Sequence, residues 1–291
     1  MRPEQSSQES QNLVWEEEVL AWEAGLQLHF LGTGGSEGIP CLWCRCEHCQ
    51  EARLQPAFRR LPTAVLLQED DQALLIDAGT DINHHLEKIH LLGVLLTHWH
   101  TDHWVGLPRL SWTPRPLPFL CPEPEKAKEF LKKGLVPLKG APFCAENWGP
   151  FRLYPLPLNH SVLTWGYFIE HTSGQKVALL WDTKGLPPES LAFLRYRKVH
   201  LAVVDATYPP GTQPKNHNNL EEAIALGLEV ADGVLLTHFS HKNWPPQRLE
   251  EFLSLRYPFD PVALAYDGLK HDLDQPLAHS LREGAFHLLK S

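Results

Sequence analysis

No apolar run in the 291 residues comes near the roughly 20 positions that a bilayer crossing takes, so a membrane span is not expected. The first thirty positions lack a basic start followed by an apolar block, and the expected compartment is therefore the cytoplasm. A surplus of positive charge is missing too. The formal net charge is −9 with histidines neutral, which argues against a protein that grips long nucleic acid through many Lys and Arg contacts. A phosphate-bearing ligand would then be small, with metal ions supplying the positive charge. No stretch is rich enough in Gly, Ser or Pro to act as a linker between domains. One domain over residues 26–291 is expected, behind an amino-terminal extension of residues 1–25. Cysteine is scarce outside one place: of six, four lie between Cys41 and Cys49, while Cys121 and Cys144 stand alone and read as small core residues.

What is present is an alternation of short apolar runs and amphipathic stretches. Residues 1–12, rich in Gln, Ser and Glu, read as a disordered start, and Trp15, Val19 and Trp22 recur at helical spacing over 14–23. Strands are expected at Leu26–Leu31, Thr63–Leu67, Ala73–Ile76, Val94–Thr97, Leu117–Leu120, Arg152–Pro155, Tyr167–Glu170, Val177–Trp181, Leu201–Val204, Val234–Thr237 and Val262–Ala265. Helices are expected at Ile82–Ile89, Glu125–Lys132, Pro188–Tyr196, Leu220–Val230 and Pro246–Leu255. The Pro-rich stretch Pro108–Pro124 reads as a connection over the surface. The mixture predicts an α/β fold of sheets covered by helices.

Two of these runs repeat. Gly93-Val94-Leu95-Leu96-Thr97-His98 recurs residue for residue as Gly233–His238, and Ala73-Leu74-Leu75-Ile76-Asp77 is echoed by Ala178-Leu179-Leu180-Trp181-Asp182. Each copy sets a His or Asp directly after an apolar strand. Two similar halves facing one another would bring those strand ends together, where open sheets place their ligands.

The first copy runs on into His98-Trp99-His100-Thr101-Asp102-His103. Imidazole nitrogen and carboxylate oxygen suit a borderline divalent ion such as zinc. His98 and His100, two apart in extended chain, point to one side, while Asp102 and His103 lie beyond them where the chain can turn to a second point. One loop could thus serve two neighbouring metals. His160 follows another strand and Asp182 ends one; a dinuclear centre needs such ligands from several chain positions, often with a shared carboxylate. Separately, Cys44-x-Cys46-x-x-Cys49 offers three thiolates, with Cys41, His48 or a distant residue as the fourth ligand of a closed tetrahedral zinc site.

The set Ile76-Asp77-Ala78-Gly79, His98-x-His100-x-Asp102-His103, His160, Asp182 and His238 resembles the metallo-β-lactamase superfamily, whose fold is an αββα sandwich with a dinuclear site at its edge. Leu31-Gly32-Thr33-Gly34-Gly35 to Pro40, the cysteine cluster, Leu158–Tyr167 and Asn216-His217 are similar, within it, to the phosphoribosyl 1,2-cyclic phosphate phosphodiesterases of the carbon-phosphorus lyase pathway. The likeness runs from about Leu26 to Lys270. It implies that His98, His100 and His160 hold one metal and Asp102, His103 and His238 the other, manganese or zinc, with Asp182 bridging. Asp77 would support the ligand loop from behind, and His241 would complete a structural zinc site with Cys44, Cys46 and Cys49.

The resemblance also implies hydrolysis of 5-phospho-α-D-ribosyl 1,2-cyclic phosphate to ribose 1,5-bisphosphate by a hydroxide between the metals, with His217 protonating the leaving oxygen, in a homodimer. Arg59, Arg60 and Lys184 are the candidate contacts for the 5-phosphate. Three relatives compete. A tRNA 3′-end processing endonuclease shares the ligand set but would carry a basic arm, which the charge balance does not support. The pyrroloquinoline quinone biosynthesis protein B has a similar cysteine cluster, yet the complete His-x-His-x-Asp-His set favours hydrolysis. A non-catalytic metal-binding member of the fold is the alternative of another class.

Overall fold

A computed structural model describes residues 25–131, 134–275 and 277; the expected disordered start and the helix over 14–23 lie outside them. The strands form two seven-stranded sheets. The first takes β1 (Leu26–Gly32), β2 (Ala64–Glu69), β3 (Gln72–Ile76), β4 (His90–Leu95), β5 (Leu117–Leu120) and β6 (Leu135–Leu138). The second takes β7 (Glu146–Trp148), β8 (Phe151–Pro157), β9 (Trp165–His171), β10 (Lys176–Leu180), β11 (Val199–Asp205), β12 (Ala231–Thr237) and β13 (Val262–Leu264). The last strand, β14 (Lys270–Asp272), returns to pair with β1.

Both sheets follow one plan. Read from β14 to β6 and from β7 to β13, the first three pairings are antiparallel and the last three parallel. The expected halves are therefore present as topology, and the echoed strands β3 and β10 hold equivalent places. The longer echo joins β4 to β12, which do not: the counterpart of β4 is β11.

Alternation along the strands builds the layers. Leu28, Leu67, Leu74 and Ile76 of the first sheet meet Leu153, Tyr167, Leu179 and Val203 of the second in one buried cluster. Their strand neighbours face outward and are covered by helices, which is why these strands are apolar on both faces. The helices are α1 (Glu47–Leu54), α2 (Asn83–Leu86), α3 (Thr101–Trp104), α4 (Pro124–Phe130), α5 (Pro188–Arg195), α6 (Leu220–Val230) and α7 (Pro246–Arg256). Ile82, Leu107, Leu110 and Ala127 cover Leu66, Leu75 and Val94. Leu194, Ile224, Leu249 and Leu253 cover Ala178, Leu180, Ala202 and Val204. The result is the expected αββα sandwich.

Several local expectations are corrected. The stretch Pro108–Pro124 is no surface connection: a 3-10 turn over Leu107–Trp112 buries Leu107 and Leu110, and β5 buries Phe119 and Leu120. Proline is tolerated at the start of such a turn, so its abundance did not mean exposure. The helix expected at Ile82–Ile89 shrinks to Asn83–Leu86, whose four residues are none of them buried. Cys121 is buried, but Cys144 is exposed and not a core residue. Strands β6, β7 and β14 and helices α1 and α3 are additions.

Candidate active site

The strand ends of both halves deliver the polar groups. Asp77 follows β3, Thr97 and His98 follow β4, Asp182 follows β10, Asp205 ends β11 and His238 follows β12. Asp77, Asp182 and His238 take left-handed backbone, with φ of 54, 58 and 58°. Such conformations cost non-glycine residues on the order of 1 kcal/mol or more each and recur at functional sites. The ligand loop rests on the turn after Asp77: Ala78 N donates to His103 O at 2.7 Å and Gly106 N to Ala78 O at 2.7 Å. A Cβ on Gly79 would stand 1.8 Å from the Asp102 carbonyl oxygen, so only glycine lets the loop sit this close.

Two ligand groups form. In the first, His98 Nε2 lies 2.9 Å and His160 Nε2 3.3 Å from His100 Nδ1. In the second, Asp102 Oδ2 lies 3.2 Å from His103 Nε2 and 3.9 Å from His238 Nε2. Asp182 stands between them, its Oδ2 3.1 Å from both His103 Nε2 and His238 Nε2 and its Oδ1 3.7 Å from His160 Nε2. The seven side chains lie together in one place.

Their tautomers are fixed from behind. Asp77 accepts from Thr97 N and Thr97 Oγ1 at 2.8 Å, from Trp181 Nε1 at 2.8 Å and from His103 Nδ1 at 2.7 Å. The one hydroxyl proton of Thr97 goes to Asp77, so Thr97 Oγ1 accepts from His98 Nδ1 at 3.0 Å. His160 Nδ1 donates to Asn216 O at 3.1 Å, and His238 Nδ1 faces Thr207 Oγ1 at 2.9 Å. Each of these four rings therefore turns Nε2, not Nδ1, toward Asp182 or His100, as metal-binding imidazoles do.

Charge is crowded here. Burial opposes ionisation of Asp182, yet His238 and His103 hold its carboxyl well below the usual range. Asp102 is also depressed, against burial, chiefly by His103. Burial works against a charged His103, but Asp182, Asp77 and Asp102 raise it well above its ordinary value, and Asp182 and Asp102 likewise raise His238 to about 9. His98 is pushed well down by burial and by His103, and His160 is lowered, first by burial. His103 Nε2, His238 Nε2 and Asp182 Oδ2 are buried, face each other and make no hydrogen bond. Without a cation, His103 and His238 meet Asp182 Oδ2 as charged rings at 3.1 Å, and a divalent ion would take the place of those protons among the three atoms. The donor set, nitrogen and carboxylate oxygen, fits two divalent ions.

Beside these groups a cavity of about 430 Å³ is lined by Glu37, His100, Asp102, His160, Asp182, Tyr208, His217, His238 and Lys242, among others. His217 Nδ1 donates to Asp205 Oδ2 at 2.8 Å, and its ring stacks on His238 with centroids 5.3 Å apart. Asp205 also accepts from Thr183 N at 3.1 Å and from Thr207 N at 3.0 Å, so it is fixed itself. The capping box Asn219/Glu222 starts α6 just beyond and anchors the loop that carries His217.

Sequence reasoning missed Asp205, Thr97, Thr207 and Trp181. Asp205 carried a readable signal, an aspartate directly after the apolar run Leu201–Val204; the threonines and Trp181 carried none.

The cysteine loop closes one wall. The sulfurs of Cys44, Cys46 and Cys49 and a nitrogen of His241 lie within 4.8 Å of one another, with Cys44 Sγ 3.2 Å and Cys46 Sγ 3.7 Å from His241 Nδ1. Cys41 and His48 are not in the group: Cys41 Sγ points to Leu42 O, and His48 Nδ1 faces Asn243 O at 3.2 Å. Three thiols and one imidazole suit a closed tetrahedral zinc. Hydrogen bonds from Cys46 lower the Cys44 thiol, whereas burial pushes Cys49 up to about 12.

The three expected phosphate contacts are engaged elsewhere. Arg60 is buried, donates to Thr33 Oγ1 at 2.8 Å and Ala265 O at 2.7 Å, and lies over the Phe239 ring. Arg59 donates to Ala52 O at 3.2 Å, and Lys184 pairs with the capping Glu222 at 2.5 Å. None of them lines the cavity. Lys242 does, and among the described residues it is the one Lys or Arg that does so.

A profile of the β-lactamase superfamily domain matches residues 72–239, more than half of the chain. The chain belongs to the β-lactamase superfamily. Solved structures with this fold agree. A diphosphatase of the PhnP family superposes with a TM-score of 0.70 at 24 % identity, covering 84 % of this chain and 96 % of that one. Zinc-bound PqqB from Methylobacterium extorquens gives 0.70 at 16 %, covering 84 % and 99 %, and the short form of human tRNase Z gives 0.61 at 20 %, covering 85 % and 99 %. No curated protein matches significantly in sequence. Members of the β-lactamase superfamily are metal-dependent hydrolases, and the metal-type ligand groups of this member stand where both sheets end. Among the described residues no helix is long and apolar enough to cross a membrane.

Proposed function

We propose that this protein hydrolyses a small cyclic phosphodiester, 5-phospho-α-D-ribosyl 1,2-cyclic phosphate, to ribose 1,5-bisphosphate. The observation that carries the reading is His217: a ring held by Asp205 at 2.8 Å, stacked on His238 and 3.8 Å from Asp182 Oδ1, beside both ligand groups. Manganese or zinc bound by His98, His100 and His160 and by Asp102, His103 and His238 would supply water that ionises near neutrality and charge to neutralise phosphoryl oxygens. The rest of the chemistry falls to the chain. With Nδ1–H given to Asp205, His217 has Nε2 left to carry a proton. As the water oxygen bonds to phosphorus and the bond from phosphorus to O2 breaks, that proton goes to the departing O2. Asp205 offsets the positive charge on the ring, and Asp182 holds the two ligand groups together from between.

A cavity of about 430 Å³ suits a small substrate, and a lining with Lys242 as its one Lys or Arg among the described residues suits a long polyanion poorly. The diphosphatase neighbour suggests one competitor, a diphosphate, whose P–O–P anhydride would likewise be cleaved by water attack at phosphorus. The test is a set of ³¹P NMR assays on the manganese- and zinc-loaded protein with the cyclic ribosyl phosphate, cyclic nucleotides, a nucleoside diphosphate and a precursor tRNA. The reading expects the cyclic sugar phosphate to be opened fastest, to a C1 monoester. Faster cleavage of the diphosphate or the RNA, or opening toward the C2 monoester, would overturn it.

A further inference from the structure

The cysteine group and the paired ligand groups meet at one side chain, Glu37. Its Oε1 accepts from Ser240 Oγ at 2.6 Å and from His241 N at 3.3 Å, and lies 3.8 Å from His241 Nε2. His241 turns Nδ1 to the sulfurs of Cys44 and Cys46. A metal held at Nδ1 leaves the ring proton on Nε2, the nitrogen that faces the Glu37 carboxylate. The same side chain lines the cavity and is 28 % exposed. Glu37 thus borders the closed site on one side and the open one on the other. The cysteine loop begins four residues after it, at Cys41. A metal there fixes both the chain that carries the carboxylate and the imidazole that the carboxylate faces.

From Glu37 the contacts lead on to His238. Ser240 N donates to Thr207 O at 3.2 Å, and Thr207 Oγ1 lies 2.9 Å from His238 Nδ1 and 2.8 Å from His238 O. The backbone supplies a second path. Phe239 N donates to Thr33 O at 2.9 Å and Gly35 N to Phe239 O at 3.1 Å, which zips the segment before Glu37 to the one after His238. A Cβ on Gly35 would lie 3.4 Å from His238 Cε1 and 3.7 Å from Glu37 Oε2, so the ring and the carboxylate flank that one residue.

We propose that Glu37 is a positioning residue that couples the two centres: metal in the cysteine site fixes Glu37 against Ser240 and His241, and this strengthens metal binding by Asp102, His103 and His238. The coupling goes beyond the phosphodiester reading and is independent of the substrate. Energetic coupling between sites is typically worth about 5–150-fold in affinity, and contacts that support metal ligands about 10–100-fold, so about tenfold is expected here. Affinity changes and capacity does not. At excess metal the paired ligand groups fill with or without the cysteine site.

The test reads metal binding and not turnover. With zinc in the cysteine site, cobalt(II) is titrated into the remaining ligand groups against a competing chelator and followed by its visible absorption. Wild type, Glu37→Ala, Glu37→Gln, Cys44→Ser/Cys46→Ser and the triple variant that adds Glu37→Ala are compared. Cobalt should bind about tenfold more weakly to Glu37→Ala and to the double cysteine variant, and no more weakly to the triple variant than to either. Glu37→Gln, whose amide oxygen still accepts from Ser240, should stay within about threefold of wild type. Wild-type affinity in Glu37→Ala, or an effect that adds in full to that of the cysteine substitutions, would overturn the coupling. Because coupling is reciprocal, a second reading needs no cysteine substitution. Cobalt in the paired groups should raise the zinc affinity of the cysteine site about tenfold in wild type and leave it unchanged in Glu37→Ala. Equal zinc affinity of wild type with and without cobalt would overturn the proposal as well.

Discussion

A histidine gives up a proton at a chosen place only when its ring is held, and Asp205 holds His217. His217→Ala should keep the fold and the metals and lose about two to four orders of magnitude in kcat on the proposed substrate. Asp205→Asn should also lower kcat and should distort the pH profile, because the ring loses its fixed tautomer. Metal analysis and stopped assays on both variants check this, and wild-type turnover with full metal content in His217→Ala would remove the residue from the mechanism. At this scale the sequence told much but not all. The ligand residues are chemically distinctive and packed into a short pattern, so they were legible. Thr97 and Thr207, which set the His98 and His238 rings, are common residues whose role exists only once the chain is folded. The cations read as phosphate contacts failed for the opposite reason: charge type is visible in a sequence, but burial of Arg60 under Phe239 is not.

Elements place these residues through strand ends and one tight turn. Gly79→Ala would drive a methyl group to within 1.8 Å of the Asp102 carbonyl oxygen, so the loop must shift. A stability loss on the order of 1–3 kcal/mol is expected, with weaker metal retention, measurable by urea unfolding and dialysis against a chelator. Unchanged metal retention would mean that the loop does not depend on that contact. Long strands buried on both faces were readable from continuous apolar runs such as Val177–Leu180 and Leu201–Val204. Strands β7 and β14, three residues each, and β14 polar throughout as Lys270-His271-Asp272, carry no period to read. Helix α1 was missed because only His48, Cys49 and Ala52 are buried on it, and its N-cap is a cysteine, Cys46, accepting from Cys49 N.

For the whole molecule, two buried histidines give opposite pH limbs. His238 in the metal-free protein is raised from the ordinary 6.5 to about 9, so its stabilising charge contacts are complete below about 6.5 and lost as pH rises through about 9. His48 is lowered from 6.5 to about 4 by burial and then by Arg60, so its contribution is complete above 6.5 and lost as pH falls toward 4, on the order of 2 kcal/mol. Urea midpoints of the metal-free protein should fall on both sides of neutrality. Metal binding should abolish the alkaline limb alone and release protons on loading at neutral pH; identical alkaline limbs with and without metal would contradict the charge assignment. The duplicated plan of the two sheets was legible in outline from the echoed strand ends, but the counterpart of β4 was not, because pairing order is decided by packing across the sandwich and not by local likeness.

The central claim is that two ligand groups joined at Asp182, and a third separate group at Cys44, Cys46, Cys49 and His241, each take a metal. Metal content per chain by inductively coupled plasma spectrometry tests it most directly, on wild type, Asp182→Asn and Cys44→Ser/Cys46→Ser. The account predicts roughly three metals in wild type, two in the double cysteine variant and one in Asp182→Asn. A single metal in folded wild type, or loss of all three from the cysteine variant with its fold intact, would contradict it.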